Sequence, residues 1–166
     1  KSFYESFDTS LVLKKVDSIK RLSPQTKTFI KDILENFKAT GGQGLPRGLS
    51  LSSTLSEIVM SSFDSDVMSM PEVFFYCRYV DDIIIITSGE ENSKQFIKHI
   101  GKQLPKGLLF NKKKEDICKA HDSSAFKPSQ QVPISPAIFS FEYLGYNFSV
   151  HEPLKKNEQR EVVLDI

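Results

Sequence analysis

The stretch Phe74-Phe75-Tyr76-Cys77-Arg78-Tyr79-Val80-Asp81-Asp82-Ile83-Ile84-Ile85-Ile86 constrains this chain more than any other. Aromatic and β-branched residues lead into two adjacent aspartates, and an unbroken isoleucine run follows. Both flanks read as strands, because such side chains pack well on a pleated surface. The isoleucines predict a strand buried on both faces. The aspartates then fall at the tip of a tight hairpin, where Asp tolerates the backbone geometry. Two carboxylates in one turn repel each other, and a divalent cation relieves that repulsion. Hard oxygen ligands suit magnesium. On these residues alone, an ordinary Asp-rich turn is the competing reading.

Other blocks lie in order around that hairpin. Lys1-Ser2-Phe3-Tyr4 opens the chain. Gly44-Leu45-Pro46-Arg47-Gly48-Leu49-Ser50 precedes Thr54 and Glu57. Gly107-Leu108-Leu109-Phe110-Asn111-Lys112-Lys113-Lys114 and Phe141-Glu142-Tyr143-Leu144-Gly145-Tyr146 follow it. The set resembles the reverse transcriptases. The aspartate hairpin is similar to their Tyr-x-Asp-Asp motif, and the glycine segment to Gly-Leu-Pro-Gln-Gly. The lysine block is similar to Gly-Leu-x-x-Asn-x-x-Lys, and the last block to the Leu-Gly-Tyr hairpin called the primer grip. Lys1 to Tyr4 resembles the tail of the Asp-x-x-x-Phe-Tyr strand.

Gross composition is compatible with that resemblance without demanding it. The chain has 166 residues, enough for one domain with a real core. Hydrophobic content of 39% and charged content of 26% are ordinary for a globular protein. No apolar run approaches membrane-spanning length, and no charged-then-apolar leader opens the sequence. Cys77 and Cys118 follow no disulfide or metal spacing, which predicts a reducing, cytoplasmic setting. The formal net charge is only +1, whereas proteins that grip a phosphate backbone are usually basic. Lys112 to Lys114 and Lys155-Lys156 nevertheless cluster, while acids gather around the hairpin and Glu90-Glu91.

Periodicity organises the rest. A short strand is expected over residues 1–7, and Asp8 or Thr9 is placed to cap a helix carrying Leu11, Leu13, Val16 and Ile19. Ser23-Pro24 starts a second helix, with Phe29, Ile30, Ile33, Leu34 and Phe37 at helical spacing. Glycines and Pro46 then open a loop, and Thr54-x-x-Glu57 reads as a capping box for a third helix. A fourth is expected over residues 90–104, with acids in its first turn. Leu108 to Phe110 begins a strand, residues 123–136 form a surface excursion, 138–150 a hairpin and 162–164 a further strand. Strands and helices mix without regular βαβ alternation. The fold class is therefore α+β, an antiparallel sheet with helices on one face. The polymerase palm, a ferredoxin-like arrangement, fits this order.

The resemblance implies an RNA-directed DNA polymerase that transfers nucleotides from dNTPs to a primer 3′-hydroxyl. Such chemistry uses two magnesium ions about 3.5–4 Å apart, which activate the attacking oxygen and stabilise the leaving one. Asp81 would be the principal hairpin ligand and Asp82 its support; with Lys114, they form the implied catalytic set. Lys114 matches the lysine that protonates the leaving pyrophosphate, although three lysines in a row leave its register open. Tyr4 would lie under the incoming sugar, where a ring clashes with a 2′-hydroxyl; a core aromatic is the alternative. Arg47 and Gly48 would contact the nucleotide. Arg47 stands where the family more often has glutamine, and a guanidinium grips phosphate bidentately as an amide cannot. Tyr79, Leu144, Gly145 and Tyr146 would hold the template-primer, an RNA and DNA partner. No membrane partner is implied, and the oligomeric state is open.

The Pro-Arg-Gly-Leu-Ser pattern looks most like bacterial abortive-infection and phage-defence reverse transcriptases. The family's first catalytic aspartate would fall just upstream of Lys1. Residues 1–166 are thus expected to be a palm fragment, with fingers and thumb elsewhere and little activity in isolation. A catalytically inactive palm-fold scaffold in a defence complex is the alternative. A nucleotide cyclase is set aside, since no Gly-Gly-Asp/Glu-Glu-Phe signature is present. His99, His121 and His151 form no metal or triad spacing.

Overall fold

The computed structural model describes residues 2–119, 137–151 and 160–165. A single 3-10 turn, Tyr4–Ser6, precedes helix α1 (Thr9–Ser18), helix α2 (Pro24–Ala39) and helix α3 (Ser50–Met68). Strands β1 (Val73–Tyr79) and β2 (Asp82–Thr87) follow, then helix α4 (Ser93–Gln103). Strands β3 (Ala137–Tyr143), β4 (Tyr146–His151) and β5 (Glu161–Asp165) complete the described elements. All pairings are antiparallel, and the strands fall into two sheets: β1-β2 and β3-β4-β5. The architecture is α+β, as expected.

Helix α3 is the centre of the core. Leu55, Val59, Met60, Phe63 and Val67 recur at helical spacing and are nearly fully enclosed. Val12 and Val16 of α1, Ile30 and Leu34 of α2, and Ile100 of α4 join the buried cluster, as do Phe7, Leu45 and Leu108. Phe63 meets Tyr76 and Phe110 edge-on, each with ring centroids 6.4 Å apart.

Capping explains most helix starts. Asp8 accepts from the Ser10 and Leu11 amides at 2.9 and 3.4 Å, and Ser23 from Thr26 at 3.1 Å. Helix α4 begins later than expected, because Asn92 caps it through the Gln95 amide at 3.1 Å. Glu91 is drawn instead to Thr87 and Ser88. Helix α3 begins earlier than the Thr54-Glu57 box predicts. It starts at Ser50, and the Ser52 hydroxyl donates to the Pro46 carbonyl at 2.5 Å.

The expected strand over residues 1–7 is instead the 3-10 turn. Ser6 N–H donates to the Phe3 carbonyl at 3.1 Å, and the tightened chain stacks Phe3 on Phe7 edge-on at 4.9 Å. Residues 108–110 keep a strand-like alternation without a ladder: Leu108 is buried, Leu109 exposed, and Phe110 packs on the core. The expected excursion over residues 123–136 lies outside the described residues.

The register of β1-β2 pairs Tyr79 with Asp82, Cys77 with Ile84 and Tyr76 with Ile85, with a shift between Val73 and Phe75. Tyr76, Arg78, Ile83 and Ile85 share the face towards α3. Ile86, expected to be buried, is 52% exposed, because helices cover only one face of the hairpin. The 138–150 hairpin forms as expected, with Phe141 stacked on Phe148 at 5.3 Å, and β5 pairs with β4.

Candidate functional site

The two-residue connection between β1 and β2 is Val80-Asp81. Asp was expected to take the unusual backbone angle, but Val80 takes it, at φ 56°. Asp82 begins β2 and, opposite Tyr79, shares the outward face of the hairpin; Arg78 points the other way, towards α3. Asp81 and Asp82 are both exposed. Among the described residues, neither makes a hydrogen bond or ion pair, so their mutual repulsion has no protein counter-charge in contact.

Asp81 lines a shallow groove of about 270 Å³ together with Ser2, Phe3, Tyr4 and Arg47. Three residues far apart in sequence thus converge: Tyr4 from the 3-10 turn, Arg47 from the glycine loop and Asp81 from the hairpin. Local chemistry holds the first two together. Leu45 N–H donates to the Tyr4 carbonyl at 2.9 Å, and Arg47 Nη2 lies 2.9 Å from Glu5 Oε1. Gly48 sits at φ 80° with open space around its Cα.

The β3-β4 turn is Leu144-Gly145, with φ of 53° and 78°, and it exposes Leu144 and Tyr146. Its base approaches the aspartate hairpin: the Tyr143 hydroxyl donates to Cys77 Sγ at 3.7 Å. Burial pushes the Tyr143 phenol up to about 12, with the Cys77 contact and the Asp82 charge adding to the shift. Lys114 closes a turn in which its N–H donates to the Asn111 carbonyl at 2.8 Å. Its side chain is exposed, and among the described residues no hydrogen bond or ion pair joins it to the groove.

Asp64 and Tyr76 had no site role from sequence, and Glu57 only that of a capping-box residue, yet with Arg78 they form a network beneath the turn. Arg78 Nε and Nη2 donate to Asp64 at 2.8 and 2.7 Å, and Nη1 and Nη2 donate to Glu57 at 2.9 and 2.7 Å. Nη1 also donates to the Val80 carbonyl at 2.9 Å. The Tyr76 hydroxyl donates to Asp64 at 2.6 Å. Hydrogen bonding to Asp64, then to Glu57, raises the Arg78 pKa against the cost of its burial. Burial opposes ionisation of Asp64, but the Arg78 and Tyr76 hydrogen bonds prevail and hold its carboxyl below the usual range. A detectable signal existed: two acids about two helical turns apart on one face, opposite a strand arginine.

The donor chemistry of Asp81-Asp82 fits a hard divalent cation: two exposed, adjacent carboxylates, with the nearby arginines engaged by other acids. Among the described residues, no group of three or more His, Cys, Asp or Glu side chains gathers to hold a metal. None of the described helices is long and apolar enough to cross a membrane.

No curated protein and no solved structure matches the chain. A family model, "Reverse transcriptase (RNA-dependent DNA polymerase)", matches residues 2–148, which span the glycine loop, the aspartate hairpin and the Leu144-Gly145 turn. The chain belongs to the reverse transcriptase family.

Proposed function

We propose that this chain is the catalytic palm of an RNA-directed DNA polymerase that extends a primer 3′-hydroxyl from deoxynucleoside triphosphates. The convergence of Tyr4, Arg47 and Asp81 on one groove carries the reading. Asp81, with Asp82 beside it, would hold magnesium. Bound magnesium would supply the charge that activates the attacking oxygen and steadies the leaving one.

The chain's own residues do the rest. The Tyr4 ring lies under the incoming sugar and excludes a 2′-hydroxyl. Arg47 exchanges its exposed Glu5 partner for a triphosphate oxygen, which a fork of N–H donors accepts readily. Gly48 lets the backbone come close to the nucleotide. Lys114 delivers a proton to the departing pyrophosphate from its mobile stem. Tyr79 and the Leu144-Gly145-Tyr146 turn hold the primer end, on the same side of the hairpin as Asp82. Arg47 in place of the commoner glutamine supports a bacterial phage-defence parentage.

The test is incorporation of labelled deoxynucleotides with magnesium by the full-length protein that carries this palm, with and without primed RNA. Asp81→Asn and Asp82→Asn should each abolish synthesis, and Tyr4→Val should admit ribonucleotides. Full synthesis by both aspartate variants would refute the metal assignment. Absence of any synthesis by the native protein would favour a palm-fold scaffold. Synthesis without template would support the defence parentage.

A further inference from the structure

We propose that Arg78 is the positioning residue of the Asp81-Asp82 turn, acting through the carbonyl oxygen of Val80. The proposal rests on the metal-holding role given to those aspartates above. Val80 is β-branched and sits at φ 56°, a region that L-residues avoid and β-branched residues avoid most. Such a residue keeps that conformation only where its surroundings hold it. The Arg78 Nη1 donor, 2.9 Å from the Val80 carbonyl, is what holds it. That bond sets the plane of the peptide joining Val80 to Asp81, and so the direction in which the Asp81 side chain leaves the turn.

The guanidinium is itself enclosed and fully hydrogen-bonded. Its side chain is 4% exposed, and its N–H groups are distributed over Asp64, Glu57 and Val80. An arginine has five N–H donors, and this arrangement uses all of them. Both acids belong to α3, the same helix whose Ser52 hydroxyl holds the Pro46 carbonyl beside Arg47. One helix therefore sets both walls of the groove: the loop wall through Pro46 and the aspartate wall through Arg78. Lysine cannot replace this function, since it offers three donors from a single point and no planar fork.

The experiment compares Arg78→Lys with the native residue, both in the full-length protein that carries this palm, in nucleotide incorporation and in amide resonances. The kcat should fall by about 30-fold or more, as expected for a reacting group displaced by roughly an ångström, while the nucleotide KM changes by less than about threefold. The amide resonances of Val80, Asp81 and Asp82 should move, and those of α3 should stay. Adding Val80→Asn, a residue that accepts positive φ, should recover about tenfold of the lost kcat. An arginine that merely joins α3 to β1 would lose activity only in step with the folded fraction. It would leave the turn resonances in place and gain nothing from Val80→Asn; those results overturn the proposal. If Arg78→Lys does not fold, Glu57→Gln loosens the guanidinium while keeping it, and unmoved turn resonances there also refute the proposal. Asp81→Asn separates the two readings. Full activity in that variant removes the metal assignment, while the turn resonances still report on the hold of Arg78.

Discussion

Gly44 lies so close to Tyr4 that a Cβ on the glycine would meet the Tyr4 carbonyl oxygen at 2.2 Å. The same carbonyl receives the Leu45 amide, so the glycine loop is seated directly on the turn that presents the Tyr4 ring. Seating here is a backbone contact, and it leaves no room for any side chain.

Gly44→Ala should therefore destabilise the protein by more than about 2 kcal/mol, combining a disfavoured positive φ with a clash against backbone. Gly48→Ala is the control, because it shares the positive φ but meets nothing within 4 Å. It should cost about 1 kcal/mol. Urea unfolding midpoints of the two variants measure the difference, and equal midpoints would mean the loop is not seated on Tyr4.

Asp8 caps α1, and hydrogen bonds from Ser10, then contact with Lys106, bring its carboxyl down to about 2. A depressed carboxylate stabilises the fold above its unfolded pKa and loses that contribution as pH falls through the folded value. The advantage of the native protein over Asp8→Asn should thus be present above about pH 4 and shrink as pH approaches 2. Asparagine caps nearly as well, so the comparison isolates the charge. Paired denaturant titrations at pH 6 and pH 2.5 read it out.

Repulsion between Asp81 and Asp82 has a cost in the metal-free protein. Asp81→Asn should raise its melting temperature by about 1 °C, on the scale of a surface charge change of up to about 0.5 kcal/mol. Magnesium should then raise the melting temperature of the native protein, by mass action on the folded state, and leave that of the variant unchanged. Melting curves with magnesium and with a chelator decide it; equal magnesium responses would count against these carboxylates as ligands.

Tyr143→Phe removes the contact between the two hairpins and should cost about 1 kcal/mol. A phenol whose folded pKa is raised stabilises the fold below its unfolded value near 10 and loses that contribution as pH climbs through the folded value. The native protein should weaken between about pH 10 and 12 more than Tyr143→Phe does. Alkaline melting curves of the pair show whether that difference exists.

The hairpins and their turns were legible because local chemistry encodes them. Aspartates or Leu-Gly between aromatic and β-branched runs leave few other solutions, and Ser23-Pro24 marks a helix start in the same direct way. The first residues were misread because Phe3 and Tyr4 carry β-propensity that short-range ring packing overrides. The start of α3 was misread because Ser50 to Ser53 look like loop, and no pattern in the chain announces that the Ser52 hydroxyl will find Pro46. At the site, the family resemblance gave Tyr4 and Arg47 to the nucleotide and Asp81 to the metal, and the three line one groove. The ionic network under the turn was missed, since Glu57 was read as part of a capping box and Asp64 was given no role, and only the fold lays a strand arginine across the two.

The step in register between Val73 and Phe75 interrupts a hairpin whose edges are otherwise open. Among the described residues, neither β1 nor β2 pairs with a further strand, and Phe74 and Ile86 stand exposed nearby. A straight apolar edge of that kind recruits copies of itself and grows into aggregates. The step leaves Phe74 without a partner in the ladder, and an interruption of that kind is one way a strand edge is made a poorer template for a second molecule.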